Sequence, residues 1–91
     1  MIARHLMIFG RVQGVWYRAW TVETARTLGL TGWVRNRADG CVEAWVQGQK
    51  TAVEAMIRQA HDGPPAAMVA RIDVCEVQYE TMDGFDKRPT L

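Results

Sequence analysis

The 91-residue chain has only two cysteines and three prolines, and its charges nearly cancel. Each scarcity excludes something. Cys41 and Cys75 fit neither a disulfide framework nor a metal-ligand spacing, so two ordinary reduced thiols are expected. Eleven Lys and Arg against ten Asp and Glu leave a net charge of +1. That is too little for the global field that gathers nucleic acid or an anionic membrane surface. No apolar run approaches the ~20 residues of a membrane span. Met1-Ile2-Ala3-Arg4-His5 lacks the basic region, apolar core and cleavage site of a signal peptide, so the cytoplasm is the expected location. The Gly-x-x-x-x-Gly-Lys-Ser/Thr nucleotide loop is absent, as are Cys-x-x-Cys, His-Glu-x-x-His and Gly-x-Ser-x-Gly. Nearly half the residues (48%) are apolar, which excludes a disordered chain. A chain this short makes one domain, residues 1–91, with a core that is adequate rather than large.

What is present is concentrated in Gly10-Arg11-Val12-Gln13-Gly14-Val15-Trp16-Tyr17-Arg18. An apolar strand-like run, Leu6-Met7-Ile8-Phe9, leads into it, and a helix-like run, Ala19 to Leu28, leaves it. Glycines let the backbone curl so that successive N–H groups converge on one point. The helix N-terminus adds unpaired N–H groups and a partial positive charge. Arg18 adds a planar fork of donors matched to phosphate oxygens. The combination predicts a site for a compact oxyanion, a phosphoryl group first among them. Gln13, Gly14, Val15, Trp16 and Tyr17 are expected to contribute backbone N–H groups, with the Val15 and Tyr17 side chains packed in the core.

The rest of the chain supplies a frame. Residues 4–10 read as a strand and 18–29 as a helix, with Trp20, Thr24, Ala25 and Leu28 at helical spacing. Residues 31–37 and 41–47 read as a hairpin, 49–61 as a second helix, and 68–79 as a strand with Met68, Ala70, Ile72 and Val74 in alternation. A short strand near Phe85–Arg88 closes the pattern. Strand-helix-strand-strand-helix-strand is the split βαβ order, an α+β, ferredoxin-like sandwich: an antiparallel sheet with two helices on one face. The first and third strands are then central, and the strand carrying Cys75 borders the first, away from Cys41. Arg37-Ala38-Asp39-Gly40-Cys41 suits a three-residue loop with Gly40 in the left-handed region. Trp33 then lies opposite Trp45, and Arg35 opposite Glu43. Val34, Ala44, Val46 and Asn36 point to the helix-covered face.

The first motif, together with Gly32-Trp33-Val34-Arg35-Asn36 and the following Asp39-Gly40 and Val42-Glu43, resembles the acylphosphatase family. The ending, Gly84-Phe85 to Arg88-Pro89-Thr90, is also similar, so the resemblance spans nearly the whole chain. Trp16 and Tyr17 depart from the usual residues at their positions without removing a polar group. The resemblance implies hydrolysis of an acyl phosphate, with Arg18 binding the phosphate and Asn36 orienting the attacking water. It implies attack by water directly on phosphorus, with no metal and no covalent intermediate; no other cofactor is expected, and the chain is expected to act as a monomer on a small molecule. Arg11, Arg35 and Arg37 are expected as solvated or paired residues that raise the local potential. His5 and His61 have no carboxylate or second His at ligand spacing and are read as non-catalytic, His61 as a helix C-terminal residue favourable to the dipole. Two other classes stay open: a binding module of the kind found inside larger maturation proteins, and an RNA-binding sheet. The latter lacks its Lys/Arg-Gly-Phe/Tyr-Gly/Ala-Phe signature.

Overall fold

In the computed structural model, which describes residues 1–91, the chain runs β1 (Ile2–Arg11), α1 (Tyr17–Thr27), β2 (Thr31–Asn36), β3 (Val42–Gly48), α2 (Lys50–Ala60), β4 (Met68–Val77) and β5 (Phe85–Lys87). The sheet order is β4-β1-β3-β2-β5, so the first and third strands are central as their order in the chain predicts. β4 pairs with β1 and sets Cys75 opposite His5. Cys41, buried, and Cys75, exposed, are both free thiols.

The hairpin has the predicted register. Trp33 faces Trp45 and Arg35 faces Glu43. The Arg37 N–H donates to the Cys41 carbonyl at 2.9 Å, and Gly40 has φ +97°. Asp39 Oδ1 accepts from the Cys41 N–H at 3.2 Å, the local bond that makes aspartate a turn former.

Three expectations change. The sheet is mixed, because β5 runs parallel to β2. β5 covers an edge that would otherwise expose unpaired backbone groups. The Gly32 N–H donates to Gly84, and the Val34 and Asn36 carbonyls accept from Arg88 and Leu91 at 2.8 and 3.1 Å.

In β4 the alternation breaks. Ile8 pairs with Ile72 and Phe9 with Arg71, but Gly10 pairs with Val69, so Ala70 is an extra residue in a bulge. Val69 and Ile72 therefore pack on the core, while Met68 is exposed. Gly10 permits this close approach: a Cβ there would lie 2.2 Å from the Met68 carbonyl oxygen.

The buried stripe of α1 is Tyr17, Thr21 and Ala25, not Trp20 and Thr24. Thr21 can face the core because its hydroxyl donates to the Tyr17 carbonyl at 2.8 Å. Trp20 is left half-buried against the Tyr17 ring at 5.5 Å. In α2 the helical spacing puts Val53, Met56, Ile57 and Ala60 on one face; Val53, Met56 and Ala60 are buried and Ile57 is partly buried against the core. Leu6 and Ile8 of β1, Val34 of β2 and Ala44 and Val46 of β3 join them beneath the helices.

Candidate active site

β1 ends at Arg11, and five residues separate it from the start of α1 at Tyr17. The turn between them is held by two left-handed residues, Gly14 at φ +73° and Trp16 at φ +69°. Nothing crowds the space beside Gly14, so glycine is needed there for its dihedral and not for room. Trp16 has no such excuse. A bulky residue in this region costs roughly 1–3 kcal/mol, and its side chain is 79% exposed, so core burial does not offset the cost.

The turn instead aims donors. The backbone N–H groups of residues 13 to 19 find no acceptor in the protein. α1 has no side-chain N-cap and no acidic residue in its first turn, so nothing neutralises its positive end. The Arg18 side chain is half-buried and makes no ion pair or hydrogen bond.

A cleft of about 310 Å³ opens over this turn, lined by Val12, Gly14, Trp16, Tyr17, Arg18, Ala19, Asn36 and Lys87. The fold thus brings Arg18 and Asn36 together. Asn36 ends β2 on the helix-covered side, the side set by the hairpin register. Its amide makes no hydrogen bond within the protein, and Oδ1 is buried without a partner. An unpartnered buried acceptor costs about 1–3 kcal/mol, so its survival beside free amides and a free guanidinium points to a ligand or water as the missing donor.

Of the five turn residues expected to bind phosphate, Gly14, Trp16 and Tyr17 line the cleft and Gln13 and Val15 do not; the Val15 side chain is buried in the core as expected. The Gln13 side chain does more than was expected of it. Its Nε2 donates to the Arg37 and Cys41 carbonyls, both at 2.8 Å. That ties the turn before α1 to the loop after Asn36 and fixes the distance between the two halves of the site.

Tyr17 anchors the other end. Its hydroxyl donates to the Ala60 carbonyl at 2.6 Å, joining the start of α1 to the end of α2, and burial pushes its pKa up. Lys87 is the residue that motif reasoning missed. It sits opposite Val34 on β5, and only the parallel pairing of β5 carries it to the cleft. No local pattern announces that pairing.

The remaining arginines do not reach the cleft. On the open face of the sheet, Glu43 accepts from Arg35 Nε at 2.6 Å and from Arg37 Nη1 at 3.2 Å. It also lies 2.6 Å from His5 Nε2. His5 is therefore not alone, since β1 and β3 pairing sets a carboxylate beside it. Burial pushes the Glu43 carboxyl up, but hydrogen bonds from Arg35, His5 and Arg37 outweigh it and hold the pKa at about 2. His61 caps the end of α2, with Nδ1 3.0 Å from the Ile57 carbonyl. Cys41 donates to Asp39 Oδ1 at 2.9 Å, and burial, followed by this bond, pushes its thiol up to about 11, away from reactivity. No three His, Cys, Asp or Glu side chains gather where they could hold a metal.

A ferredoxin-like sheet that delivers free amides, an arginine and an amide side chain to one cleft defines a class of proteins that handle compact oxyanions. Comparison with known proteins narrows the class. Residues 4–87 match the family described as Acylphosphatase. The acylphosphatase of Rhodospirillum rubrum is 56% identical over 84 residues, covering 92% of each chain. That of Acidovorax sp. is 53% identical over 90 residues, covering 99% of this chain and 93% of the relative. The crystal structure of the Bacillus subtilis acylphosphatase superposes with a TM-score of 0.94 at 32% identity, covering 97% of this chain and 99% of that one. The chain belongs to the acylphosphatase family.

Proposed function

We propose that the protein hydrolyses acyl phosphates, with the turn from Gln13 to Tyr17 and the Arg18 guanidinium holding the phosphoryl group and Asn36 orienting the water. As an acylphosphatase the chain releases a carboxylate and inorganic phosphate. The water oxygen bonds to phosphorus, the bond from phosphorus to the acyl oxygen breaks, and its electron pair leaves on the carboxylate. The water's proton passes to a phosphate oxygen, so no side-chain base is required.

The observation that carries this reading is the pairing of unsatisfied groups: a turn of free N–H groups and a free guanidinium on one side of the cleft, an unpartnered amide on the other. Phosphoryl transfer to water with a good leaving group needs charge stabilised on the transferring oxygens and a nucleophile held in line. Preorganised N–H donors and a bidentate arginine supply the first. An amide that can accept from water and donate to an oxyanion supplies the second.

The chain acts as a single domain and a monomer, a reading supported by its site, which draws on the turn after β1, on α1, β2 and β5 of one chain alone. The cytoplasm suits its two free thiols, one of them exposed. No helix is long and apolar enough to cross a membrane. A nucleic-acid partner is not expected, because Trp33, the aromatic at the middle of β2, is buried with Arg35 and Arg88 over its ring at 4.7 and 4.8 Å.

The test is phosphate release from an aromatic acyl phosphate, followed with and without a strong chelator and with added inorganic phosphate. Release that ignores the chelator and is inhibited competitively by phosphate is expected. Loss of activity in chelator, restored by magnesium or zinc, would overturn the mechanism.

A further inference from the structure

The four tryptophans have different employment. Trp33 is buried at 7% exposure with two arginines over its ring. Trp45 donates its indole N–H to Gln47 Oε1 at 2.9 Å. Trp20 leans on the Tyr17 ring. Trp16 has none of this: it is 79% exposed, stacks on no ring and hydrogen-bonds to no side chain. It nevertheless occupies a left-handed backbone position that glycine or asparagine fills at lower cost. The position needs φ above zero, but nothing in the fold needs an indole there. The cleft is where an indole has use, since Trp16 lines it beside Arg18.

We infer that Trp16 is a specificity-determining residue: its indole is a platform for the acyl group, and the preferred substrates are acyl phosphates with an aromatic or planar apolar acyl part. The inference rests on the phosphate being held by the turn and Arg18. With phosphorus fixed there, in-line displacement places the departing carboxylate on the side of phosphorus opposite the water at Asn36. Asn36 is the contribution of β2 and Trp16 that of the start of α1, so the acyl group leaves along the α1 wall. An exposed indole on that wall offers a flat apolar face, and aromatic groups gain from stacking beyond the area they bury. A small acyl group such as acetyl is too short to use it.

The experiment compares kcat/KM for benzoyl phosphate and acetyl phosphate, in the parent and in Trp16→Gly, Trp16→Asn and Trp16→Phe. The readout is the ratio of the two values, in which any change in the turn common to both substrates cancels. Glycine and asparagine both accept the left-handed conformation, so each removes the ring while keeping the turn. The ratio is expected to fall about tenfold in Trp16→Gly and Trp16→Asn and to recover most of the parental value in Trp16→Phe. A ratio within twofold of the parent in both ring-less variants overturns the platform. Arg18→Lys is measured alongside. It lowers both substrates together and leaves the ratio in place; parental turnover in that variant overturns the phosphate site itself and is recognisable apart from any result at Trp16.

Discussion

Two polar clusters sit at the same end of β2, on opposite faces of the sheet, and they are built on opposite rules. On the open face, the Glu43 carboxylate is nearly buried and accepts from three donors, Arg35, Arg37 and His5. On the helix-covered face, Asn36 is buried at Oδ1 and accepts from none, beside an arginine and seven backbone N–H groups that are equally unpaired. The first cluster is complete within the protein and holds the hairpin to β1. The second is complete only with something added. Alternate residues at the end of β2 and just beyond it thus face opposite ways: Arg35 and Arg37 fasten the hairpin on the open face, and Asn36 lines the cleft on the other. Titratable groups alone would direct attention to the open face, since the strongly shifted carboxyl lies there, held by its three partners, and the cleft lining contains no carboxylate.

This contrast can be broken from either side. Arg18→Lys should give the largest effect, a loss of roughly 10²–10³ in kcat/KM, because lysine keeps the charge but not the two-pronged donor. Stability should stay within about 0.5 kcal/mol, since the Arg18 side chain makes no ion pair or hydrogen bond within the protein. Steady-state kinetics and urea unfolding of the same preparation check both halves; retained activity with lost stability would reverse the assignment.

Glu43→Gln should do the converse. Leaving two arginines and a histidine around a neutral amide costs roughly 3 kcal/mol, while turnover of the folded fraction should stay within about threefold. The pH dependence follows with a definite sign. A carboxyl held at about 2, below its ordinary value near 4.3, stabilises the fold above that ordinary value. The contribution fades as pH falls from about 5 toward 2. Urea unfolding across that range should show a steeper acid loss in the parent than in Glu43→Gln, and parallel curves would remove Glu43 from the account.

Much of this division was legible before any coordinates. The two glycines ahead of Trp16-Tyr17-Arg18, the spacing of Ala38-Asp39-Gly40 and the split βαβ order are local signals, and local rules carried them. The hairpin register placed Arg35 opposite Glu43 and Asn36 on the far face because period-two alternation leaves no other choice. The misses share a cause. The Ala70 bulge, the parallel pairing of β5 that brings Lys87 to the cleft, the meeting of His5 with Glu43 and the Gln13 tie to Arg37 and Cys41 all join residues distant in the chain. The Tyr17 hydroxyl is the clearest case: its partner, Ala60, lies 43 residues away, and only the packing of α1 against α2 brings them together.

Asn36→Ala tests the central claim most directly, because a structural and a functional asparagine answer it in opposite ways. The variant is measured three ways: turnover with saturating acyl phosphate, inhibition by inorganic phosphate, and free energy of unfolding. An amide that holds water and serves nothing inside the fold predicts turnover down roughly 10²–10³. Phosphate inhibition should change little, and stability should be equal to the parent or up to about 1 kcal/mol higher, since an unpartnered buried oxygen has been removed. A variant that unfolds more easily while each folded molecule still turns over at the parental rate would show that Asn36 belongs with Glu43 among the fastenings, and the site would have to be sought elsewhere.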